Sequence, residues 1–70
     1  MQKLHTVIDM LVNGFILPPK YKDHSLHGDW KGCRDCHIEG DWILIYEITV
    51  EQGREIITLH ATGTHENLFG

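Results

Sequence analysis

The sequence has little positive charge and no long hydrophobic run. Its 70 residues contain six Lys and Arg against ten Asp and Glu, so the formal net charge is −4 with the histidines neutral. A nucleic-acid-binding surface usually carries a basic footprint, and the composition alone therefore speaks against RNA binding. No apolar stretch approaches the roughly 20 residues of a membrane-spanning helix, so no association with a membrane is predicted.

The amino-terminal segment also lacks the features of an export signal. His5, Asp9 and Asn13 interrupt the apolar stretch that a signal peptide requires. We therefore expect a cytoplasmic protein whose two cysteines remain reduced. The chain is expected to fold as one domain, residues 1–70, with a small core of a size that rarely supplies more than roughly 3–5 kcal/mol. Such a core favours added stabilisation from a homodimer, an element swapped between two copies or a bound partner.

Apolar residues near the amino terminus repeat at helical spacing. They form one stripe that predicts an amphipathic helix: Leu4, Val7, Ile8, Leu11 and Phe15. Asn13-Gly14 predicts the end of this helix, and Pro18-Pro19 cannot continue it. The polar segment 20–28 is expected to be a loop.

Three strands are predicted after this loop. They cover approximately residues 30–38, 42–50 and 55–61, and the second, WILIYEITV, is rich in β-branched and aromatic residues. Turns that contain glycine, at 39–40 and 51–54, connect them into an antiparallel meander. A helix packed on one face of this meander gives an α+β fold. The tail, 62–70, is expected to fold back onto the sheet.

The segment Cys33-Arg34-Asp35-Cys36-His37 contains a CxxCH motif. In exported proteins this motif attaches haem covalently, but here it lies in a predicted strand of a chain without an export signal. A zinc site would need Cys33 and Cys36 with two of the histidines at positions 24, 27, 37 and 65. Residues three apart in a strand point to opposite faces, however. We therefore interpret one cysteine as a core residue and the other as partly exposed, and predict neither a cofactor nor a metal.

Four polar residues are expected to meet at one end of the meander, because the end of one antiparallel strand and the start of the next lie at the same edge of the sheet. These residues are His24, His37, Asp41 and His65. Several histidines without an obvious metal site suit general acid–base catalysis near neutral pH. Such a set can cleave RNA: one group takes the proton of the ribose 2′-hydroxyl, and another protonates the leaving 5′-oxygen. A cation usually stabilises the phosphate charge.

Two motifs resemble those of the YafQ-type toxins, a branch of the RelE/ParE superfamily found in bacterial type II toxin–antitoxin pairs. They are YKDHSLHGDWKGCRDCHIEGDWILIYEI and TGTHENLFG, and the resemblance extends from the Leu4–Phe15 helix to Gly70. It implies a RelE-like fold and an endoribonuclease, an mRNA interferase that cleaves messenger RNA on the ribosome without a metal. It also implies an antitoxin protein as a partner, which wraps and blocks the toxin.

The resemblance further implies roles for individual residues. His65 matches the histidine that is usually given the main acid–base role. His24 matches a loop histidine near the substrate phosphate, and His37 and Asp41 match the other catalytic positions. Phe69 matches an aromatic residue that helps to hold or orient the substrate.

Ala61 stands directly before TGTH, where the family normally has an arginine that stabilises the phosphate charge. Loss of such a donor costs on the order of 10²–10³ in rate, so we expect a weakened or inactive toxin. Lys31 and Arg34 are candidate substitutes for substrate binding. Trp42 is expected beside the site, with a role as a sheet or core aromatic as its alternative. The competing functions are a toxin homologue that binds antitoxin or ribosome without cleaving RNA, and a small Cys/His metal-binding protein.

Members of this family normally begin with a strand and a helix before the helix predicted here. Met1 corresponds approximately to the start of their second helix. The fold is therefore expected to lack the amino-terminal strand and the first helix, which leaves one sheet edge unpaired.

Overall fold

Two helices flank a four-stranded antiparallel sheet in the computed structural model, which describes residues 2–69. The elements in chain order are α1 Gln2–Val12, β1 His24–Ser25, β2 Arg34–Glu39, β3 Trp42–Glu51, β4 Arg54–Thr64 and α2 His65–Phe69. Single 3₁₀ turns lie at Pro19–Tyr21 and Gly28–Trp30. Strand order in the sheet follows chain order, and all pairs are antiparallel. The predicted α+β architecture, a helix against an antiparallel meander, is confirmed.

Helix α1 ends where the sequence predicts, and its cap explains one error in the predicted stripe. Gly14 adopts a left-handed φ of 76°. The backbone N–H groups of Gly14 and Phe15 donate to the carbonyls of Leu11 and Met10, respectively, which is the Schellman arrangement. The chain therefore leaves the helix axis before Phe15, whose side chain is 65% exposed rather than part of the apolar stripe. Leu17 is buried instead.

An apolar cluster lies on each face of the sheet, and each has a different cover. On the face toward α1, the buried cluster consists of Val7, Leu11, Leu17, Cys36, Ile38, Leu44 and Tyr46. On the opposite face, Cys33, Ile43 and Ile45 are buried beneath Leu26, Trp30 and Leu68. We call the first the helix face and the second the site face. Alternation along β3 sends successive apolar side chains into the two clusters.

The loop before β2 is more structured than the sequence suggests. The predicted first strand begins at Arg34 rather than Trp30, because residues 28–30 form a 3₁₀ turn whose Trp30 carbonyl accepts the Cys33 N–H at 2.9 Å. Within the segment predicted as a loop, β1 pairs His24 with Asp35 and adds a short edge strand.

The carboxyl-terminal elements also differ from the prediction. Strand β4 continues to Thr64, and the tail then forms α2. Thr64 Oγ1 accepts the backbone N–H of Asn67 at 3.2 Å, a side-chain cap that explains where the helix begins. The predicted tail extends to Gly70, which lies outside the described residues.

The distal half of the β3–β4 hairpin extends beyond the rest of the sheet. Pairing of β2 with β3 stops at Tyr46, so residues 47–51 have only β4 beside them. Gln52 and Gly53 have φ values of 53° and 78°, and two positive φ values in a two-residue loop match the twist of a hairpin. Val50 is 70% exposed, in keeping with a two-stranded ribbon that carries little cover.

Both cysteines are buried and reduced, which corrects the expectation that one is partly exposed. Cys33 belongs to the site-face cluster and Cys36 to the helix-face cluster. They therefore lie on opposite faces, as the strand spacing predicts. The 3₁₀ turn and the aromatic cover of Trp30 bury Cys33, which precedes β2.

A polar network joins the loop to the sheet on the helix face. Arg34 Nε donates to Asp23 Oδ1 at 2.7 Å, and the buried Tyr46 hydroxyl donates to the other carboxylate oxygen. Asp23 is thus the common acceptor of two side chains from β2 and β3.

Among the helices of the described residues, none is long and apolar enough to cross a membrane.

Replacement of Asp23 by alanine should destabilise the fold. It leaves the Tyr46 hydroxyl buried without its acceptor, so we expect the free energy of unfolding to fall by about 2–3 kcal/mol in urea denaturation. Asp29→Ala, at an exposed aspartate, serves as the matched control and should change it by less than about 0.5 kcal/mol. The double variant Asp23→Ala/Tyr46→Phe should recover part of the loss. Equal stabilities of the two alanine variants would contradict this account.

Stability should also decrease at alkaline pH. Burial, reinforced by the charges of Asp23 and Asp35, raises the pKa of the Cys36 thiol from 9.0 to about 12. The unfolded chain then loses the thiol proton from pH 9 upward while the folded chain retains it. The free energy of unfolding therefore falls, by about 1 kcal/mol per pH unit from this group. Burial raises the pKa values of Cys33 and Tyr46 as well, in the same direction.

Urea denaturation between pH 8 and 10.5 measures this slope. Cys36→Ala should flatten it, even though the variant starts from a lower stability. A wild-type stability that does not change over this range would rule out the proposed linkage.

Candidate active site

The clearest group of ionisable side chains lies where β2 ends and α2 begins. The ring centroids of His37 and His65 are 5.1 Å apart, with their planes inclined by 48°. His37 pairs with Ile43 of β3, which pairs in turn with Gly63 of β4. The chain then enters α2 and brings His65 over the site face. Both imidazoles are half-buried, so each keeps a face toward solvent and can exchange protons.

An aromatic row continues from this pair across the site face. Phe69 lies 5.8 Å from His65 and 6.4 Å from Trp30, measured between ring centroids. Trp30 in turn meets His60 at 6.3 Å, and both of its contacts are edge-to-face. The row thus runs His37, His65, Phe69, Trp30, His60. Edge-to-face contacts are favourable for aromatic rings, and they hold Phe69 43% exposed beside the histidine pair.

His24 faces a buried carboxylate rather than the histidine pair. Its Nε2 lies 2.7 Å from Asp35 Oδ1, and its Nδ1 lies 3.1 Å from the Ser25 carbonyl oxygen. The Nε2 contact lacks the alignment of a hydrogen bond, so Oδ1 of Asp35 has no hydrogen-bond partner among the described residues although Asp35 is only 1% exposed. The His24 side chain therefore contacts a carboxylate that the fold has buried.

Asp41 and Trp42 lie at the turn between β2 and β3. Trp42 pairs with Thr64, so Asp41, one residue earlier, is opposite His65, one residue later. Asp41 is exposed and able to approach the histidine pair. The indole N–H of Trp42 donates to Thr62 Oγ1 at 2.6 Å, and its ring packs on the helix-face cluster. The structure therefore places Trp42 beneath the site, behind the sheet.

The remaining candidates are dispersed. Ala61 pairs with Ile45, which points to the site face, and residues paired directly across strands share a face. Lys31 is exposed next to the 3₁₀ turn that carries Trp30. The guanidinium of Arg34 binds Asp23 on the helix face, with 2.6 Å between Nη2 and Oδ1. The structure therefore does not bring Arg34 together with the histidines.

Several residues of the site face were missed from the sequence. Asp35 follows an arginine within the CxxCH segment, and nothing in its spacing indicates a partner for His24. The predicted first strand includes Trp30, which hides its position over the sheet. The sequence pattern does not single out His60 or Glu47, although their side chains make a 3.0 Å contact. Alternation along β3 and β4 would have placed Glu47 on the site face, but a bulge moves His60 there.

The structure separates the two cysteines but assembles a different group of metal-type ligands. Cys33 and Cys36 lie on opposite faces, so they cannot share one ion without rearrangement of β2. In the part of the chain that the structure describes, the ligand atoms of Cys33, Glu47 and His60 all lie within 4.8 Å of one another.

Two accessible imidazoles next to an exposed aromatic ring are suited to proton transfer on a bound substrate. Acid–base catalysis needs two groups that can hold and release protons near the reacting atoms, and His37 and His65 meet that geometric requirement. Phe69 offers a ring face on which a base can stack. The contact of His24 with the buried Asp35 supports the adjacent edge of the sheet.

The sequence pattern and the fold match those of one toxin family. All 70 residues match the model of the family described as "Bacterial toxin of type II toxin-antitoxin system, YafQ". The chain is 48% identical to the mRNA interferase toxin YafQ of Escherichia coli K12 over 71 aligned positions, which cover 100% of this chain and 73% of that protein.

Solved structures agree with the family match. The crystal structure of YafQ from E. coli BL21(DE3) superposes with a TM-score of 0.90 at 45% identity, covering 100% of this chain and 74% of that one. YafQ in the E. coli DinJ–YafQ complex superposes with a TM-score of 0.86 at 46% identity, with coverage of 100% and 74%. The fold is thus RelE-like, as predicted. The chain belongs to the YafQ family of bacterial type II toxin–antitoxin toxins.

Proposed function

We propose that this protein is an endoribonuclease toxin that cleaves messenger RNA on the ribosome. The observation that carries the proposal is the His37–His65 pair, 5.1 Å between centroids, beside the exposed ring of Phe69. The curated relative with 48% identity is named an mRNA interferase toxin, which supports the same activity here. Such an enzyme would act in the cytoplasm, where messenger RNA is translated.

In the proposed mechanism, RNA supplies its own nucleophile. One imidazole of the pair accepts the proton of a ribose 2′-hydroxyl, whose oxygen attacks the adjacent phosphate, and the other donates a proton to the leaving 5′-oxygen. His65 takes the leading role, because it lies between His37 and Phe69 in the aromatic row. Phe69 stacks on a base and fixes the phosphate over the pair.

The other candidate residues support this step. Asp41, opposite His65 in the register, is positioned to orient its imidazole. His24, whose Nε2 lies 2.7 Å from Asp35 Oδ1, would face the substrate phosphate. Lys31 is exposed and can approach the same substrate.

Ala61 weakens the proposed enzyme. Its position on the site face, next to His60 and two residues before Gly63, is suited to a side chain that contacts the phosphate, but a methyl group carries no charge. Arg34 does not compensate, since Asp23 already binds its guanidinium on the helix face. The net charge of −4 adds a further barrier to binding an RNA polyanion.

Ala61 and the net charge of −4 favour a second function. In this alternative, the chain would bind an antitoxin, or the ribosome, without cleaving RNA. The solved complex of a 46% identical YafQ with DinJ supports an antitoxin as the partner in either case. Catalysis and antitoxin binding can therefore be tested separately.

Messenger RNA cleavage on programmed ribosomes tests the catalytic proposal. We expect His65→Ala to lower the cleavage rate by about 10²–10⁴-fold, since it removes an acid–base group. Ala61→Arg should raise the rate by up to about 10²-fold by restoring a phosphate-binding cation. His5→Ala, at an exposed histidine on α1, is the matched control and should leave the rate unchanged. Cleavage that does not depend on His65 would refute the mechanism, and an unchanged rate in Ala61→Arg would refute the account of Ala61.

Co-purification with E. coli DinJ tests the partner. We expect a complex that elutes as one species in size-exclusion chromatography, for the wild type and for His65→Ala alike, because binding does not require the catalytic imidazole. A complex together with undetectable cleavage in Ala61→Arg would select the second function. The absence of any complex would count against DinJ-type antitoxins as partners of this chain.

A further inference from the structure

Cys33, Glu47 and His60 form a cluster outside the proposed acid–base pair. The thiol sulfur, a carboxylate oxygen and a ring nitrogen lie within 4.8 Å of one another. They come from the loop before β2, from β3 and from β4. We propose that this cluster binds one divalent transition-metal ion of the zinc type. The inference concerns binding and does not depend on the proposed cleavage of RNA.

A β-bulge in β4 places the third ligand. Ile45 pairs with Ala61, and Tyr46 pairs with Leu59, so His60 is the extra residue that no residue of β3 opposes. Bulges re-aim side chains, and here the imidazole turns to the site face instead of the helix face. Its Nε2 then lies 3.0 Å from Glu47 Oε1, and its ring meets Trp30 edge-on. Strict alternation from Ala61, which lies on the site face, would have sent the ring of His60 to the helix face.

The donor set and spacing suit zinc. Zinc is bound by cysteine sulfur, histidine nitrogen and carboxylate oxygen, at bond lengths that place tetrahedral ligands roughly 3.3–3.7 Å apart. The cluster must therefore contract by about 1.1–1.5 Å at most. Cys33 is fixed in the site-face core at 7% exposure, whereas the side chains of Glu47 and His60 are 34% and 33% exposed and free to adjust. Three protein ligands leave the fourth position for water.

The electrostatics of the cluster also favour a cation. Burial, and then the charge of Glu47, raises the pKa of the Cys33 thiol, so the thiol is protonated before the ion arrives. Binding releases this proton to solvent and forms a sulfur–metal bond. The resulting thiolate and the Glu47 carboxylate supply two negative charges, which neutralise a divalent ion. The ion would offset the repulsion that Glu47 exerts on the Cys33 thiolate.

A bound ion would link the loop before β2 directly to the paired strands β3 and β4. Ligands that bind the folded chain alone stabilise it by mass action. At an ion concentration about 100-fold above the dissociation constant, the melting temperature of a chain of this size should rise by roughly 10 °C or more.

Cobalt titration tests the site directly, because a cobalt–thiolate bond gives a sulfur-to-metal charge-transfer absorption. The purified, reduced chain is titrated with Co²⁺, and the bound ion is then displaced with Zn²⁺. We expect a 1:1 complex with charge-transfer and tetrahedral absorption that zinc abolishes. Cys33→Ser should eliminate the charge-transfer band, and His60→Gln should weaken Co²⁺ binding at least tenfold.

Matched controls separate ligation from folding. Cys36→Ser removes the thiol of the opposite face, and His5→Gln removes an exposed histidine of α1, so both should bind Co²⁺ as the wild type does. His60→Gln lies at an exposed position and should preserve the far-ultraviolet circular dichroism of the wild type. Zinc should raise the melting temperature of the wild type and of Cys36→Ser, and that of His60→Gln much less.

Three outcomes would overturn the proposal. The first is the absence of Co²⁺ and Zn²⁺ binding. The second is binding without a charge-transfer band, which would place the ion on histidines alone. The third is a band that Cys36→Ser abolishes and Cys33→Ser preserves.

Discussion

The structure depends on the burial of one strand from two sides. Ile43 and Ile45 of β3 are fully buried on the site face, while Leu44 and Tyr46, at 2% and 1% exposure, are buried on the helix face. A strand with apolar residues on both faces requires two covers, and a chain of this length has few residues with which to make them. Helix α1 covers one face. The loop around Trp30 and the short helix α2 cover the other.

Because few residues are available to cover the two faces of β3, the same residues contribute to the core and to the candidate site. Helix α2 packs Leu68 over the site-face core and carries His65 and Phe69 at the same time. Trp30 covers that core and also contacts Phe69. Since each covering element has only a few residues, the side chains that shield β3 are necessarily next to those of the candidate site. The packing of α2 on the site-face core positions His65 beside His37.

Features governed by local pattern were predictable from the sequence. The end of α1 followed from Gly14, and the strands β3 and β4 followed from β-branched residues and a glycine turn. The contact between His37 and His65 was predictable, because the order of the strands brings the end of β2 and the end of β4 to the same edge of the sheet. The family motifs indicated which residues at that edge to expect. The features that the sequence pattern could not predict arise where a single residue breaks the alternation of a strand. The bulge at His60 and the turn before Cys33 both interrupt the alternation on which strand prediction relies. The contact between His24 and buried Asp35 depends in turn on a two-residue strand that is too short to leave a periodic signal.

The hairpin ribbon at residues 47–51 has a separate consequence for motion. An isolated two-stranded ribbon is marginally stable, and this one has exposed side chains such as Val50 on its surface. Its backbone amides should therefore exchange with solvent through local fraying, while those of β3 before Tyr46 exchange only when the whole chain opens. The His37–His65 pair lies at the opposite end of β4 from the ribbon turn. Fluctuations of the ribbon can thus be large on the time scale of hydrogen exchange and still leave the distance between the two imidazoles unchanged.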